Sequence, residues 1–234
     1  MRLALLSLVL GTFLSGCSEP DDAGAGKTRG VMSGGATIGM AAPLAAQVLG
    51  AEAWVNERDK SGLGWIWKGG VLEIVPGTGN LRTREKFADC QIHVEFNVPA
   101  MPSTEWKTDG NSGVYIQRRY ELQILNSHGR KAGDESCGAL YTEREPDVNA
   151  SLPAGEWQVY DIVFRAARWD GAEKTENARL TVYLNGQLIH DDVPIPDKTG
   201  SGKPEADTQE PLRLQDHGAA VRFRNVWIER LNLN

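Results

Sequence analysis

From Trp54 to the C-terminus, apolar and polar residues alternate in short runs separated by turn residues, the period-two signature of half-buried strands. The clearest run is Asp89 to Val98, which puts Cys90, Ile92, Val94, Phe96 and Val98 on one face and Gln91, His93, Glu95 and Asn97 on the other. Trp65 to Val75 reads as a hairpin around Gly69-Gly70, a pair that accepts the positive φ of a tight turn. Val114 to Leu125 alternates too, but its phase breaks at Arg118-Arg119, where a bulge or bend is expected. Trp157 to Arg165 forms another strand, and Arg179 to His190 a hairpin turning at Asn185-Gly186. Pro211 to Leu214 and Val221 to Leu231 flank a polar turn, Gln215-Asp216-His217-Gly218. No stretch sustains three turns of amphipathic helix. Roughly nine to twelve short antiparallel strands point to an all-β fold of two packed sheets, a jelly-roll or lectin-like sandwich.

The N-terminus has a different pattern. Arg2 precedes an apolar run from Leu3 to Leu14, which ends in Leu14-Ser15-Gly16-Cys17. That run is too short to stay in a membrane as a spanning helix and reads as an export signal. Leu-Ser-Gly-Cys resembles the bacterial lipobox, which implies removal of residues 1–16 and acylation of Cys17. The chain would then be lipid-anchored in the cell envelope, facing the periplasm or at the outer membrane, and would meet the membrane through its anchor alone. An ordinary secretory signal with a chance cysteine is the plainer alternative, and it too exports the protein. Residues 17–43, rich in Gly, Ala and Ser, are expected to be a flexible tether, leaving 44–234 as the folded domain.

Composition narrows the function classes. A chain of 234 residues accommodates one large sandwich, and 26 glycines suit many tight turns. With 24% charged residues and a mean hydropathy of -0.37, neither a polytopic membrane protein nor wholesale disorder fits. The net charge of -6 offers no field for phosphate backbones, which argues against a nucleic-acid partner. Beyond Cys17, Cys90 and Cys137 either pair or remain buried thiols, and the four histidines show no metal-binding spacing.

Candidate chemistry lies on the polar phases of the strands. Glu95 with His93 and Gln91, Glu121 with Gln123, and Arg213 with Gln215 are taken as three rungs of one polar face, supplying base, acid and anion stabiliser. A sheet that merely shows its polar side to water would give the same pattern. His217 stands out because the turn Asp216-His217-Gly218 needs Asp and Gly for its backbone but no histidine. It is a candidate proton carrier, oriented by Asp216. Asn111-Ser112-Gly113 forms a further polar loop opening a strand.

Seven segments occur in order between about residues 50 and 231: Thr83 to Asp89, His93-Val94-Glu95-Phe96, Asn111 to Gln117, Tyr120 to Leu125, Gly138-Ala139-Leu140-Tyr141, Pro153 to Gln158, and Arg213 through Ile228. Together they resemble the bacterial 3-keto-disaccharide hydrolase family. The resemblance implies a concanavalin A-like lectin/glucanase sandwich and an enzyme acting on glycosides whose C3 hydroxyl a separate sugar 3-oxidoreductase has already oxidised. A ketone at C3 acidifies the C2 proton; a base removes it, the enediolate expels the C1 substituent, and water adds to the unsaturated sugar. By resemblance, Glu95, Glu121, Gln123 and His217 form the catalytic set, and Asn111, Gln117, Arg213 and Asp216 contact the ligand. Glu121 or His217 would be the base, with Arg213 or a bound divalent cation stabilising the C3 oxyanion; no other cofactor is implied. The opening Gly50 to Trp54 is looser than the family pattern, and Cys90 replaces an expected aromatic residue. Two other classes stay in view: a glycan-binding module stacking sugars on Trp106 or Trp169, and a conventional glucanase with two carboxylates flanking the glycosidic bond.

Overall fold

The computed structural model describes residues 37–101 and 105–233, so the signal, Cys17 and the tether as far as residue 36 lie outside the described residues. The described residues form fifteen strands. The first eight are β1 (Gln47–Val48), β2 (Trp54–Asn56), β3 (Ile66–Lys68), β4 (Val71–Glu73), β5 (Leu81–Thr83), β6 (Cys90–Asn97), β7 (Ser112–Ile116) and β8 (Tyr120–Ile124). The rest are β9 (Trp157–Arg165), β10 (Arg168–Asp170), β11 (Glu173–Glu176), β12 (Ala178–Leu184), β13 (Gln187–Ile195), β14 (Arg213–Leu214) and β15 (Arg222–Arg230). Two short 3₁₀ turns, Ala51–Ala53 and Trp106–Thr108, are the only helical elements among the described residues.

An eight-stranded sheet runs β13-β12-β9-β6-β15-β4-β3, with β1 also paired to β15; a five-stranded sheet runs β2-β5-β14-β7-β8. The small hairpin β10-β11 stands apart. All pairings are antiparallel. Ile92, Val94 and Phe96 of the larger sheet and Val114, Leu122, Ile124 and Leu214 of the smaller meet in one core, every one at most 1% exposed. Each such side chain contributes about 1.5–3 kcal/mol on burial. The protein is therefore an all-β sandwich of two antiparallel sheets, as the alternation implied, and of the concanavalin A-like kind that the resemblance implied. Cys90 and Cys137 are buried free thiols.

Gly69 and Gly70 turn the β3-β4 hairpin at φ 58° and 78°, and Asn185 and Gly186 turn β12-β13 at 52° and 80°. The break at Arg118-Arg119 differs from expectation. It is a full reversal between β7 and β8, with Gln117 and Arg118 at φ 51° and 55°. No Gly or Asn announces this turn because side chains hold it: Gln117 Nε2 donates to Phe87 O at 2.7 Å, and Arg119 donates to Gln117 Oε1 at 2.9 Å. The polar turn after Leu214 also differs, since β14 belongs to the smaller sheet and β15 to the larger, so the chain crosses between layers there.

This topology corrects the idea of one polar face. Glu95 and Glu121 both point away from the shared core, but β6 and β8 lie in different sheets, so the two carboxylates stand on opposite outer faces of the sandwich. With packed sheets about 10 Å apart, they cannot act on one bond. Period two shows which side chains leave the core and is silent on which sheet carries them.

Candidate active site

On the outer face of the smaller sheet, the strand registers align Val55, Arg82, Arg213, Tyr115 and Glu121 as one rung across β2, β5, β14, β7 and β8. Their chain neighbours Leu81, Leu214, Val114 and Leu122 fill the core, which forces this phase outward. Glu121 is nevertheless only 3% exposed. Tyr115 Oη donates to Glu121 Oε2 at 2.5 Å and lies 2.9 Å from Ser201 Oγ, while Gln215 Nε2 donates to Tyr115 Oη at 3.2 Å. The Arg213 guanidinium lies over the Tyr115 ring, 3.6 Å from its centre.

Two glycines make room for the carboxyl group. A Cβ on Gly113 would stand 2.6 Å from Glu121 Oε1, and one on Gly200 would stand 2.7 Å from Oε2. The segment from Lys198 to Ser201 closes over the group: Thr199 Oγ1 accepts from the Glu121 N–H at 2.6 Å, and Lys198 Nζ donates to Gly200 O at 2.9 Å. Burial pushes the Glu121 carboxyl up to about 7, against the opposing pull of the Tyr115 hydrogen bond and the Arg213 charge. Burial, then the Glu121 charge beside it, raises the Tyr115 hydroxyl. Arg213 Nε and Gln215 Oε1 are buried with no hydrogen-bond partner. Buried polar atoms are rarely left unmatched, so a water or another polar molecule is the expected partner of these two. The cluster thus offers an acid-base group titrating near neutrality, a hydroxyl donor and a guanidinium within one rung.

Not every residue picked from the sequence joins this cluster. Gln123 lies two residues along from Glu121 on the same phase and is 2% exposed. Asn111 Nδ2 donates to Lys107 O at 2.6 Å and so fastens the 3₁₀ turn, and Gln117 is consumed in its own reversal. Asp216 does not orient His217: its carboxylate accepts from the N–H groups of Gly79 at 2.9 Å and Gly218 at 3.1 Å, which makes it a turn-builder. His217 itself is exposed. Of the predicted set, Glu121 and Arg213 share the rung, and Gln123 lies one outward position along β8 with its Oε1 accepting from the Ile124 N–H at 3.2 Å; Tyr115 and Ser201 were missed, and Glu95 is elsewhere.

Glu95 belongs to a buried network on the outer face of the larger sheet. His93, fully buried, bonds Asp161 Oδ1 through Nδ1 at 2.7 Å and stacks on Trp227 with centroids 5.0 Å apart. Glu95 receives Arg224 Nε at 2.7 Å, Asn225 Nδ2 at 2.8 Å and the Gly39 N–H at 2.6 Å. Burial is the largest influence on its carboxyl and works upward, but these three donors together hold it below the usual carboxylate range. Thr37 Oγ1 donates to Asp161, and Met40 O accepts from Asn225, so residues 37–40, within the stretch expected to be free tether, run across this face. Every polar atom of the Glu95 carboxylate is spoken for, which is how a structural ion pair looks.

Among the described residues, no group of three or more His, Cys, Asp or Glu is placed to hold a metal ion. No helix of the described residues is long and apolar enough to cross a membrane.

The profile of a 3-keto-alpha-glucoside-1,2-lyase-like domain matches residues 49–229. A candidate glycosyl hydrolase from Parabacteroides distasonis is 30% identical with a TM-score of 0.74, the match covering 81% of this chain and 85% of that one. Two more candidate glycosyl hydrolases from the same organism share the fold. One is 19% identical with a TM-score of 0.57, over 77% of this chain and 89% of its own. The other is 23% identical with a TM-score of 0.50, over 71% and 90%. No curated protein matches the chain in sequence.

Proposed function

The chain belongs to the 3-keto-alpha-glucoside-1,2-lyase-like domain family, whose members process carbohydrates, and on that premise we propose that it cleaves 3-keto glycosides by elimination at the Glu121 cluster. The observation that carries this reading is the buried Tyr115–Glu121 pair beside Arg213, with two buried, unpartnered polar atoms, Arg213 Nε and Gln215 Oε1, next to it.

The ionised Glu121 carboxylate takes the C2 proton, and the C2–H electron pair moves toward C3, where Arg213 balances the charge on the oxygen. As that charge returns, the C1–O bond breaks, a C1–C2 double bond forms, and the departing oxygen takes a proton from the now protonated Glu121 or through Tyr115. Water then adds at C1. Glu121 suits the task because its carboxyl titrates at about 7, so it is substantially ionised at neutral pH yet basic enough to accept a proton. His217 drops out as base, being exposed on its turn with its expected partner Asp216 engaged elsewhere. Direct hydrolysis needs two carboxyl groups about 5–9.5 Å apart, and Glu95, the natural second candidate, faces the other side of the molecule.

The reaction presupposes an oxidoreductase that makes the 3-ketone. We place the enzyme in the cell envelope through Cys17, which incorporation of a radiolabelled fatty acid, lost in Cys17→Ala, would test. The functional test is a time course of the purified protein with a 3-keto glucoside and with the same glucoside unoxidised. Turnover confined to the keto substrate and abolished by Glu121→Gln is expected. Cleavage of the plain glucoside would favour direct hydrolysis, and binding without turnover would favour a glycan-binding module.

A further inference from the structure

Arg82 and Arg213 are Cα partners on adjacent strands of the smaller sheet, and both side chains leave the core on the face that carries Glu121. Like charges directly opposite one another in an antiparallel pair repel, so such a pair costs stability unless something negative lies between them. Neither guanidinium has an ion-paired acid among the described residues. Arg82 Nη1 donates to Thr83 O at 3.1 Å; Arg213 Nη2 reaches Ser201 Oγ at 3.4 Å, and its Nε is buried and unpartnered. The nearby acids are occupied: Glu57 pairs with Arg118 at 2.8 Å and Glu210 with Lys203 at 2.8 Å. Glu121, two strands beyond Arg213 and bonded to Tyr115, answers part of the Arg213 charge, and Arg82 lies one strand farther off.

Along the same strands, the next outward positions are Gln215 and Asn80; Asn80 also lines a cavity of about 470 Å³, with Glu57, Arg58 and Asp216 among others, which neither arginine lines. Arg82 is one strand further from Glu121 than Arg213, about 5 Å more across the sheet. It is therefore placed to hold a substituent of the sugar while Arg213 attends to the reacting ring.

We propose that Arg82, one strand out from Arg213, is the anion subsite and that the substrate is an acidic sugar, one bearing a carboxylate or phosphate away from the reacting carbons. This rests on the Glu121 reading for the identity of the reaction but on the arginine rung alone for the charge. A guanidinium receives either anion through two parallel hydrogen bonds, so both sources are tested.

The experiment is calorimetric binding of glucose, glucuronate and glucose 6-phosphate to the purified protein at low and high salt, with Arg82→Gln, Arg82→Lys and, as a control on the opposite face, Arg224→Lys. At least one anionic sugar is expected to bind tenfold or more tightly than glucose at low salt. The preference should shrink with salt, vanish in Arg82→Gln, survive in part in Arg82→Lys and persist in Arg224→Lys, with far-ultraviolet dichroism confirming that each variant is folded. Which of the two anions gains decides between carboxylate and phosphate. Equal affinity for all three sugars, no binding of either anion, or a preference indifferent to Arg82 would overturn the proposal. Because these probes carry no ketone, the result stands whether or not elimination is the reaction.

Discussion

Replacing Gly113 by Ala separates catalysis from folding. Gly113 does not adopt a positive φ, so its backbone admits alanine. Its Cβ, however, would stand 2.6 Å from Glu121 Oε1 and 3.2 Å from both Glu121 Cγ and Tyr115 Cε2. The carboxyl is the freer end and must give way by roughly 1 Å to restore ordinary contact, and a displacement of that size at a reacting group costs on the order of 10²-fold in rate. That equals about 2.7 kcal/mol in the barrier, whereas the added methyl costs the fold about 1–3 kcal/mol at most. Gly62→Ala is the control, since its Cβ would meet nothing within 4 Å. Steady-state kcat/KM on a 3-keto glucoside, measured with melting curves, should fall by about two decades in Gly113→Ala and stay unchanged in Gly62→Ala. A folded Gly113→Ala protein with wild-type kcat/KM would refute the placement of Glu121 at the chemistry.

The remaining expectations come from the two carboxylates. Since the folded Glu121 titrates at about 7, above its unfolded value, the native state holds a proton that the unfolded chain has released between roughly pH 4.3 and 7. Stability from this group is thus full below that window and lost as pH rises through it, by up to about 4 kcal/mol. Glu121→Gln, which cannot ionise, should melt higher than wild type at pH 8 and lose that advantage at pH 4; chemical denaturation at both values measures it. The same titration makes kcat/KM climb through about pH 7, and a profile rising near pH 4 instead would remove Glu121 as the base. Glu95→Ala leaves Asn225 Nδ2 and the Gly39 N–H without their acceptor, while the partly exposed Arg224 is met by solvent, and should cost about 1–3 kcal/mol, with kcat/KM of the folded fraction within twofold because the residue lies on the other face; a selective loss of rate with an unchanged melting curve would restore Glu95 to the site.

Much of the sandwich was legible because its strands obey local rules. β6 alternates without a fault, and the Gly69-Gly70 and Asn185-Gly186 turns carry residues that tolerate positive φ. The β7-β8 reversal was hidden because Gln117 and Arg118 adopt that conformation under tertiary hydrogen bonds, which no local residue preference records. That one turn carries much of the site. Once it is placed, the register sets Tyr115 opposite Glu121, so the missed Tyr115 follows from the missed turn. Glu95 and Glu121 look alike in sequence, each an acid on the polar phase of a strong strand. Only the assignment of strands to sheets tells them apart, and it depends on pairings between residues more than 100 positions apart, such as Arg82 with Arg213. Ser201 and Gly200 come from a loop whose composition marks a turn and nothing more, and Gly113 reads as a turn residue until the Glu121 carboxyl is seen against it.

The central claim is that Glu121 removes the proton at C2 of an oxidised sugar. The most direct measurement compares the turnover of a 3-keto glucoside carrying hydrogen or deuterium at C2, at a pH above 7 where the base is ionised. The account predicts a clear primary isotope effect on kcat/KM and release of the C2 label to solvent. Equal rates for the two isotopologues, with the label retained at C2 in the product, would contradict it.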